Sequence, residues 1–458
     1  MKKFVVSLLV ILALIQACPI YLLAASAPVQ CNAPQSTQPL STEDYTGTAT
    51  AVLLYELNTQ TLVYAHNPDM SVNPSGLVKL LTALIVLEEG NLDDVVTVKR
   101  STLNSVSAGA VSAGLKAGEE ITLRDLVYCV MVSSANDAAA VMAEHVAGSQ
   151  AAFVEKMNAR AATLGCVSTH FVNVHGLSDS RQFSTARDLA IITEEALKND
   201  QFRHFFAVTN YTVPATNQSA TRTLTTTNYL MLSSKSYYDE RVTGGKPAAA
   251  TTADRSVICT ARTEAAEYLC VVISAKAKTS GGAVTRFTNF DEATKLLSFG
   301  FDGFEVQQVL GTEQPFGLYT VSGGENDVVV SPDEPLYALL PRHFDPSQLR
   351  LEDVPDEQAL CAPVEQGSKV GVLQVYYGSV LIGQVNLLAR HNVAIKGAAV
   401  VAPDEEESNS GRLILLLVIV FAVLLLGAGF VLFWRKQLIA HLQKDKIAKT
   451  VKKKGERT

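Results

Sequence analysis

The chain has 458 residues, 48% of them hydrophobic and 18% charged, which is enough to form a large core and more than one domain. This composition excludes a disordered chain and a small disulfide-dense scaffold. A mean hydropathy of +0.17 is high for a chain with a net charge of −7, so apolar residues must be concentrated in particular segments.

The first apolar segment is at the N-terminus. Lys2 and Lys3 precede an apolar run that ends in small residues, a pattern that predicts a secretory signal peptide over residues 1–27. We expect cleavage at the end of this segment. The alternatives are lipidation at Cys18, which follows a weak lipoprotein-type box, and an uncleaved anchor. Residues 28–46 form a polar lead.

The hydrophobic pattern of residues 47–304 predicts strands at both ends of a domain and helices between them. This arrangement is typical of an α/β (α+β) domain built on an antiparallel sheet. The predicted strands are 49–57, 61–65, 256–261 and 268–275, and the predicted helices are 73–90, 123–146, 151–164, 185–197 and 291–297, with a loop over 172–184.

Short alternating runs separated by Gly and Pro predict a small all-β domain over residues 305–394. Its predicted strands are 307–310, 327–330, 336–340, 369–376 and 379–388. The acidic stretch 395–412 is predicted to be a linker.

The second apolar segment follows the linker. Residues 413–434 include no charge, and 22 residues at about 1.5 Å each give a helix of about 33 Å, long enough to cross a bilayer. Nine Lys and Arg residues against two acidic residues give the tail 435–458 a charge of +7. The positive-inside rule therefore predicts one C-terminal transmembrane helix with a cytoplasmic tail.

Once the tail and the two N-terminal lysines are set aside, residues 28–412 carry a net charge of −16. This charge argues against a nucleic-acid partner and against docking on anionic lipid. The cysteines after residue 30 have no metal-ligand spacing, so we expect buried free thiols, with disulfides as the alternative. We expect no metal site and no cofactor. His145 and His175 are predicted to be structural.

Four stretches resemble the D-alanyl-D-alanine carboxypeptidases, the low-molecular-mass penicillin-binding proteins. Together they are far more specific than one short motif. They are VSSANDAA at 132–139, AEHVAGS at 143–149, FVNVHGL at 171–177 and STARDL at 184–189. The resemblance implies a transpeptidase-type fold of the penicillin-binding and serine β-lactamase group, followed by the small β domain and the membrane helix.

The resemblance also implies three chemical elements: Ser-x-x-Lys opening a helix, Ser-x-Asn on a loop, and Lys-Thr-Gly on a strand. In such a site an amine activates the serine hydroxyl, and backbone N–H groups hold the tetrahedral intermediate. Ser134 and Asn136 fill the second element. In the first element Lys79 is present, but the nucleophile position is Gly76, which has no hydroxyl.

The third element is also altered. The family text would be Lys-Thr-Gly, and this chain has Lys246, Pro247 and Ala248. Proline removes both the carboxylate-binding hydroxyl and a backbone donor, and alanine places a methyl group where glycine allows close approach. We therefore expect a substrate strand to pair badly at this edge.

Ser75 is a candidate substitute for the missing hydroxyl, but it precedes Lys79 by four residues rather than three, which rotates its side chain by about 100° on a helix. Loss of a serine nucleophile costs about 10⁶ in turnover, or about 8 kcal/mol of transition-state stabilisation. The sequence therefore favours a pseudoenzyme. The alternative is an active serine-type carboxypeptidase of peptidoglycan remodelling that uses Ser75.

By family position, Lys79 and Ser134 are vestigial catalytic residues, and Asn136 and Lys246 are substrate-binding residues. Each residue also has a structural alternative. Lys79 would be a partly buried cation paired with a neighbour, and Lys246 would be a solvated charge at the end of a strand. Ser134 and Asn136 would hold a helix–loop junction together by hydrogen bonds.

We expect the protein to lie on the outer face of a bacterial cytoplasmic membrane, held in the lipid bilayer by one helix. Its expected partners are peptidoglycan stem peptides, bound weakly, or cell-wall enzymes for which it is a scaffold.

Overall fold

The computed structural model describes residues 37–397. The predicted signal peptide (1–27), transmembrane helix (413–434) and basic tail (435–458) lie outside these residues, as do residues 28–36 of the polar lead and 398–412 of the linker. Residues 37–394 belong to one compact unit, and a second unit begins at Ile395. Within residues 37–397, no helix has the length and hydropathy needed to span a membrane.

The first part of the chain is a mixture of strands and helices. Its strands are β1 (Ala51–Glu56), β2 (Thr61–His66), β3 (Val95–Thr97), β4 (Glu120–Thr122), β5 (Asn210–Val213), β6 (Arg222–Thr225), β7 (Val242–Ala249), β8 (Asp254–Arg262), β9 (Glu267–Lys276), β10 (Lys278–Ser280) and β11 (Ala283–Arg286). Its α-helices are α1 (Lys79–Glu89), α2 (Arg100–Asn104), α3 (Leu123–Ser133), α4 (Asn136–Ala147), α5 (Gln150–Thr163), α6 (Ala186–Leu197), α7 (Asp200–Ala207) and α8 (Thr288–Gly303). Two 3₁₀ helices cover Ser75–Val78 and Tyr229–Met231.

The central sheet has the antiparallel order β2-β1-β9-β8-β7, with β7 at one edge. Successive residues of β1 point to opposite faces, so Leu53 packs in the core on the side of α6, and Leu54 packs against α8. The sheet is therefore covered by helices on both faces, and its antiparallel order confirms the antiparallel sheet predicted for this α/β domain.

Helix α1 is buried from Lys79 to Val86 and ends at Gly90, in agreement with its nearly continuous apolar sequence. The prediction of one helical stretch over 123–146 is wrong. Ser134 has φ +62 and ψ +28, and this left-handed residue ends α3 before α4 begins at Asn136. The apolar periodicity continues across the break, so the sequence pattern does not reveal it.

The second part of the chain is all β. Its strands are β12 (Phe304–Leu310), β13 (Gly317–Tyr319), β14 (Val328–Pro332), β15 (Leu336–Pro341), β16 (Leu349–Pro355), β17 (Lys369–Tyr377) and β18 (Val380–Ala389), with a 3₁₀ helix over Pro346–Gln348. The main sheet has the order β13-β14-β18-β17-β16. Tyr319 Oη donates to Asp353 Oδ2 at 2.8 Å, so the two edge strands curl toward each other. The prediction that this part of the chain is all β is confirmed, although the sequence pattern did not predict β13 and β16.

The cysteines within residues 37–397 are free thiols, as predicted. Four are buried, at positions 129, 166, 259 and 270, whereas the expected burial is wrong for Cys361, which is exposed. Cys18 and Cys31 lie outside the described residues. Burial raises the pKa of Cys129 to about 12, so this thiol is protonated and unreactive at neutral pH.

Candidate functional site

A cleft of about 440 Å³ lies along β7, at the beginning of α1 and beside the break between α3 and α4. It is lined by Lys79, Arg255 and the neutral His175, and no Asp or Glu is among the described residues that line it. Arg255 therefore gives the cleft a positive charge among polar groups, which favours an anionic partner.

Gly76 lies at the centre of the cleft, in the 3₁₀ helix that precedes α1. A Cβ added at Gly76 would lie 3.5 Å from Ala248 Cβ, 3.6 Å from Ser134 Oγ and 3.8 Å from Lys79 Nζ. These are ordinary contact distances. The missing side chain would thus project between the groups that the sequence analysis assigned to catalysis.

Lys79 is only 2% exposed, although it lines the cleft. Its Nζ donates to Asn136 Oδ1 at 2.9 Å and to the backbone oxygen of His175. Burial, together with repulsion from Lys246, holds the pKa of Lys79 well below its usual range. Lys79 is therefore bound by neutral oxygens and is not the paired cation of the structural alternative.

Ser134 and Asn136 come from the break between two helices. The left-handed backbone of Ser134 turns its hydroxyl toward the Gly76 side of the cleft. Both the backbone N–H and the Nδ2 of Asn136 donate to the carbonyl of Val111, at 2.8 and 2.9 Å. Asn136 therefore orders the loop at the cleft rim while it holds the Lys79 amine.

Lys246 lies in β7 and is 1% exposed, so the alternative of a solvated strand-end charge is wrong. Burial lowers the pKa of Lys246 to about 7. The next two residues, Pro247 and Ala248, line the cleft along the sheet edge. The structure thus brings Lys79, Ser134 and Asn136 together around Gly76, with Lys246 close enough to Lys79 to repel its charge.

His175 and Gly176 form the side of the cleft next to Ser75. Burial is the main cause that lowers the pKa of His175 to about 4, so its ring is neutral at physiological pH. Gly176 has φ +79, and an added Cβ would fall 1.8 Å from the Ser75 carbonyl oxygen. Only glycine allows this close approach. His145 instead pairs with Asp94 at 3.0 Å, away from the cleft lining.

Ser75 has a left-handed backbone, with φ +50, and is buried. Its Oγ donates to the carbonyl of Ala249 on β7 at 2.8 Å. The hydroxyl therefore ties the start of the 3₁₀ helix to the sheet edge.

Sequence reasoning missed the far wall of the cleft. Tyr229, Phe287 and Phe290 form an aromatic cluster there, and the Arg255 guanidinium lies 5.3 Å from the Phe287 ring centroid. Asn289 also lines this wall, and its buried Oδ1 has no hydrogen-bond partner within the described part of the chain. Scattered aromatic residues outside any motif gave no signal in the sequence.

Comparisons with known proteins agree with this architecture. Residues 36–277 match the family model described as D-alanyl-D-alanine carboxypeptidase. Residues 304–394 match the model described as penicillin-binding protein 5, C-terminal domain. Each of the two parts of the fold thus has a match of its own.

Individual relatives point the same way. The D-alanyl-D-alanine carboxypeptidase DacD of Salmonella typhimurium is 27% identical over 359 residues, which cover 76% of this chain and 87% of the relative. A D-alanyl-D-alanine carboxypeptidase of a Streptomyces species is 34% identical over 275 residues, covering 56% of this chain and 88% of that one. The crystal structure of penicillin binding protein 5 from Haemophilus influenzae is 25% identical, with a TM-score of 0.61, and covers 77% of this chain and 100% of its own.

Proposed function

The chain belongs to the D-alanyl-D-alanine carboxypeptidase family, and we propose that it is a non-catalytic member that binds peptidoglycan stem peptides in the cleft. The family resemblance makes it a carboxypeptidase-like penicillin-binding protein of peptidoglycan metabolism. Loss of catalysis is our inference from its own residues.

The observation that carries the proposal is the glycine at position 76. The space between Ser134 Oγ and Lys79 Nζ is where an attacking hydroxyl would need to be, and Gly76 supplies none. The Lys79 amine and the Ser134 hydroxyl remain, but an acyl-enzyme of this family forms on the serine oxygen that is missing at position 76.

The sheet edge supports the same proposal. Pro247 has no N–H to offer a ligand, and the Ala248 methyl group projects to within 3.5 Å of the Gly76 side-chain position. Two of the three chemical elements therefore carry changes that disfavour turnover. The cationic lining, with Arg255, suits the terminal carboxylate of a stem peptide, and the free Asn289 Oδ1 suits a peptide N–H.

The competing function, a carboxypeptidase that uses Ser75, has less support. The Ser75 hydroxyl donates to the Ala249 carbonyl, and its left-handed backbone is held by the contact with Gly176. To serve as a nucleophile, this hydroxyl would have to leave its present partner and turn toward Lys79.

We place the protein at the outer face of a bacterial cytoplasmic membrane. The predicted signal peptide, the uncharged stretch 413–434 and the +7 tail support export of the acidic body with one C-terminal anchor. From that position the cleft is available to peptidoglycan, and the fold could also act as a scaffold for active wall enzymes.

Labelling with a fluorescent penicillin tests the loss of catalysis. We expect the purified wild-type protein to form no covalent adduct, because a β-lactam needs the same serine oxygen. The variant Gly76→Ser, alone or with Pro247→Thr and Ala248→Gly, should regain labelling if the rest of the site is intact. Labelling of the wild-type protein that disappears in Ser75→Ala would overturn the proposal.

A further inference from the structure

The Lys79 amine occupies an unusual place in this cleft. Its Nζ lies 3.8 Å from the position of the missing Gly76 Cβ, so the space that a nucleophilic side chain would fill adjoins the amine directly. Both of its hydrogen-bond partners, Asn136 Oδ1 and the His175 oxygen, are neutral acceptors. Within the described part of the chain, no carboxylate lines the cleft to hold the amine in its charged form.

A neutral lysine amine has two N–H bonds and one lone pair. The two acceptors take up both N–H bonds, so the lone pair is left free for a ligand. The charged groups around Nζ favour the neutral amine: Lys246 on β7 repels charge on Lys79, and burial disfavours it further. His175, on the adjoining loop, is neutral, and Arg255, on β8, carries the cleft's fixed positive charge.

We propose that Lys79 is a carbonyl-reactive amine that forms an imine with a small 2-oxo acid bound in the cleft. A desolvated lysine next to a second cationic group is the arrangement that makes an amine nucleophilic. Arg255 would attract the carboxylate of the ligand. The inference rests on the proposed function, because an active serine would use Lys79 as its base.

The step balances without a redox partner. The Nζ lone pair attacks the carbonyl carbon, and a C–N bond forms while the C=O π bond breaks. A proton moves from nitrogen to oxygen to give a carbinolamine. Loss of the hydroxyl as water, with the remaining amine proton, leaves the C=N bond of the imine.

The test is reductive trapping on the purified full-length protein. Glyoxylate is the 2-oxo acid probe, sodium cyanoborohydride reduces any imine, and peptide mass mapping locates each modified lysine. We expect Lys79 to be modified at least 10-fold faster at pH 7 than the exposed Lys278. The rate at Lys79 should level off at a lower pH than the rate at Lys278, which should rise toward pH 10.

Three variants sharpen the test. Lys79→Arg should remove the fast modification, and the matched surface variant Lys278→Arg should keep it. Lys246→Met should move the pH profile of Lys79 upward, a shift that a merely structural role of Lys246 would not cause. Modification of Lys79 no faster than that of Lys278 would overturn the inference. Penicillin labelling through Ser75 would instead overturn the proposed function, so the two failures are distinguishable.

Discussion

Gly76 leaves the space beside Lys79 without a side chain. The distances around this position predict that the protein tolerates a side chain there. We expect Gly76→Ser to change the free energy of unfolding by less than about 1 kcal/mol, because the added Cβ meets its neighbours at 3.5 Å or more. Urea unfolding measures this change. Gly176→Ser is the matched control and should lose several times as much, since its Cβ would overlap the Ser75 carbonyl. Equal losses would contradict the geometry.

The lowered pKa of Lys246 predicts how the free energy of unfolding depends on pH. Its pKa is about 7 in the folded protein and about 10.4 when unfolded, so the unfolded state binds more protons between these values. Stability should therefore rise as the pH increases from 7 to 10. Lys246→Met should raise stability at pH 7 by about a few kcal/mol and flatten this rise. Urea unfolding across this pH range is the measurement, with Lys278→Met as the control that keeps the slope. An unchanged slope in Lys246→Met would contradict the prediction.

At the scale of elements, the break between α3 and α4 places Ser134 and Asn136 at the cleft. Ser134→Gly should stabilise the protein by about 1 kcal/mol, because glycine adopts the left-handed backbone without the usual cost. The neighbouring substitution Ser133→Gly, at the helical end of α3, should destabilise it by a similar amount. Thermal unfolding of both variants checks the pair. Destabilisation by both substitutions would contradict the prediction. It would show that the Ser134 side chain stabilises the folded protein by more than its left-handed backbone destabilises it.

The same break shows where sequence reasoning succeeds and fails at this scale. Apolar periodicity predicted α1, α5 and α6 closely because each of these helices buries a continuous face. It failed to predict the end of α3 at Ser134, because serine does not by itself end a helix. Two elements were missed for different reasons: α7 (Asp200–Ala207) shows helical spacing of its buried phenylalanines over a single turn only, and β16 (Leu349–Pro355) buries no residue, so it has no apolar face to reveal it.

The sequence predicted those residues of the candidate site that belong to the family's motifs. Lys79, Ser134, Asn136 and Lys246 are far apart in the chain, and only the family resemblance brought them together before the structure did. The depth of burial of Lys246 and the aromatic wall with Arg255 depend on tertiary packing, which local sequence does not encode.

At the scale of the whole molecule, the charge and hydropathy of the terminal segments predict the location. We expect the full-length protein to stay in the membrane fraction through a high-salt wash, because an apolar helix, not surface charge, holds it. A chain that ends at residue 411 should appear in the soluble extracytoplasmic fraction, and a chain that lacks only 435–458 should stay with the membrane. Fractionation followed by immunoblotting measures this. Release of the full-length protein without detergent would contradict the anchor.

The measurement that tests the central claim most directly is the release of D-alanine from a soluble stem pentapeptide ending in D-alanyl-D-alanine. We predict that the wild-type protein binds the peptide but releases no more D-alanine than Ser75→Ala does. Release by the wild-type protein that is lost in Ser75→Ala would contradict the claim and identify the protein as a working carboxypeptidase.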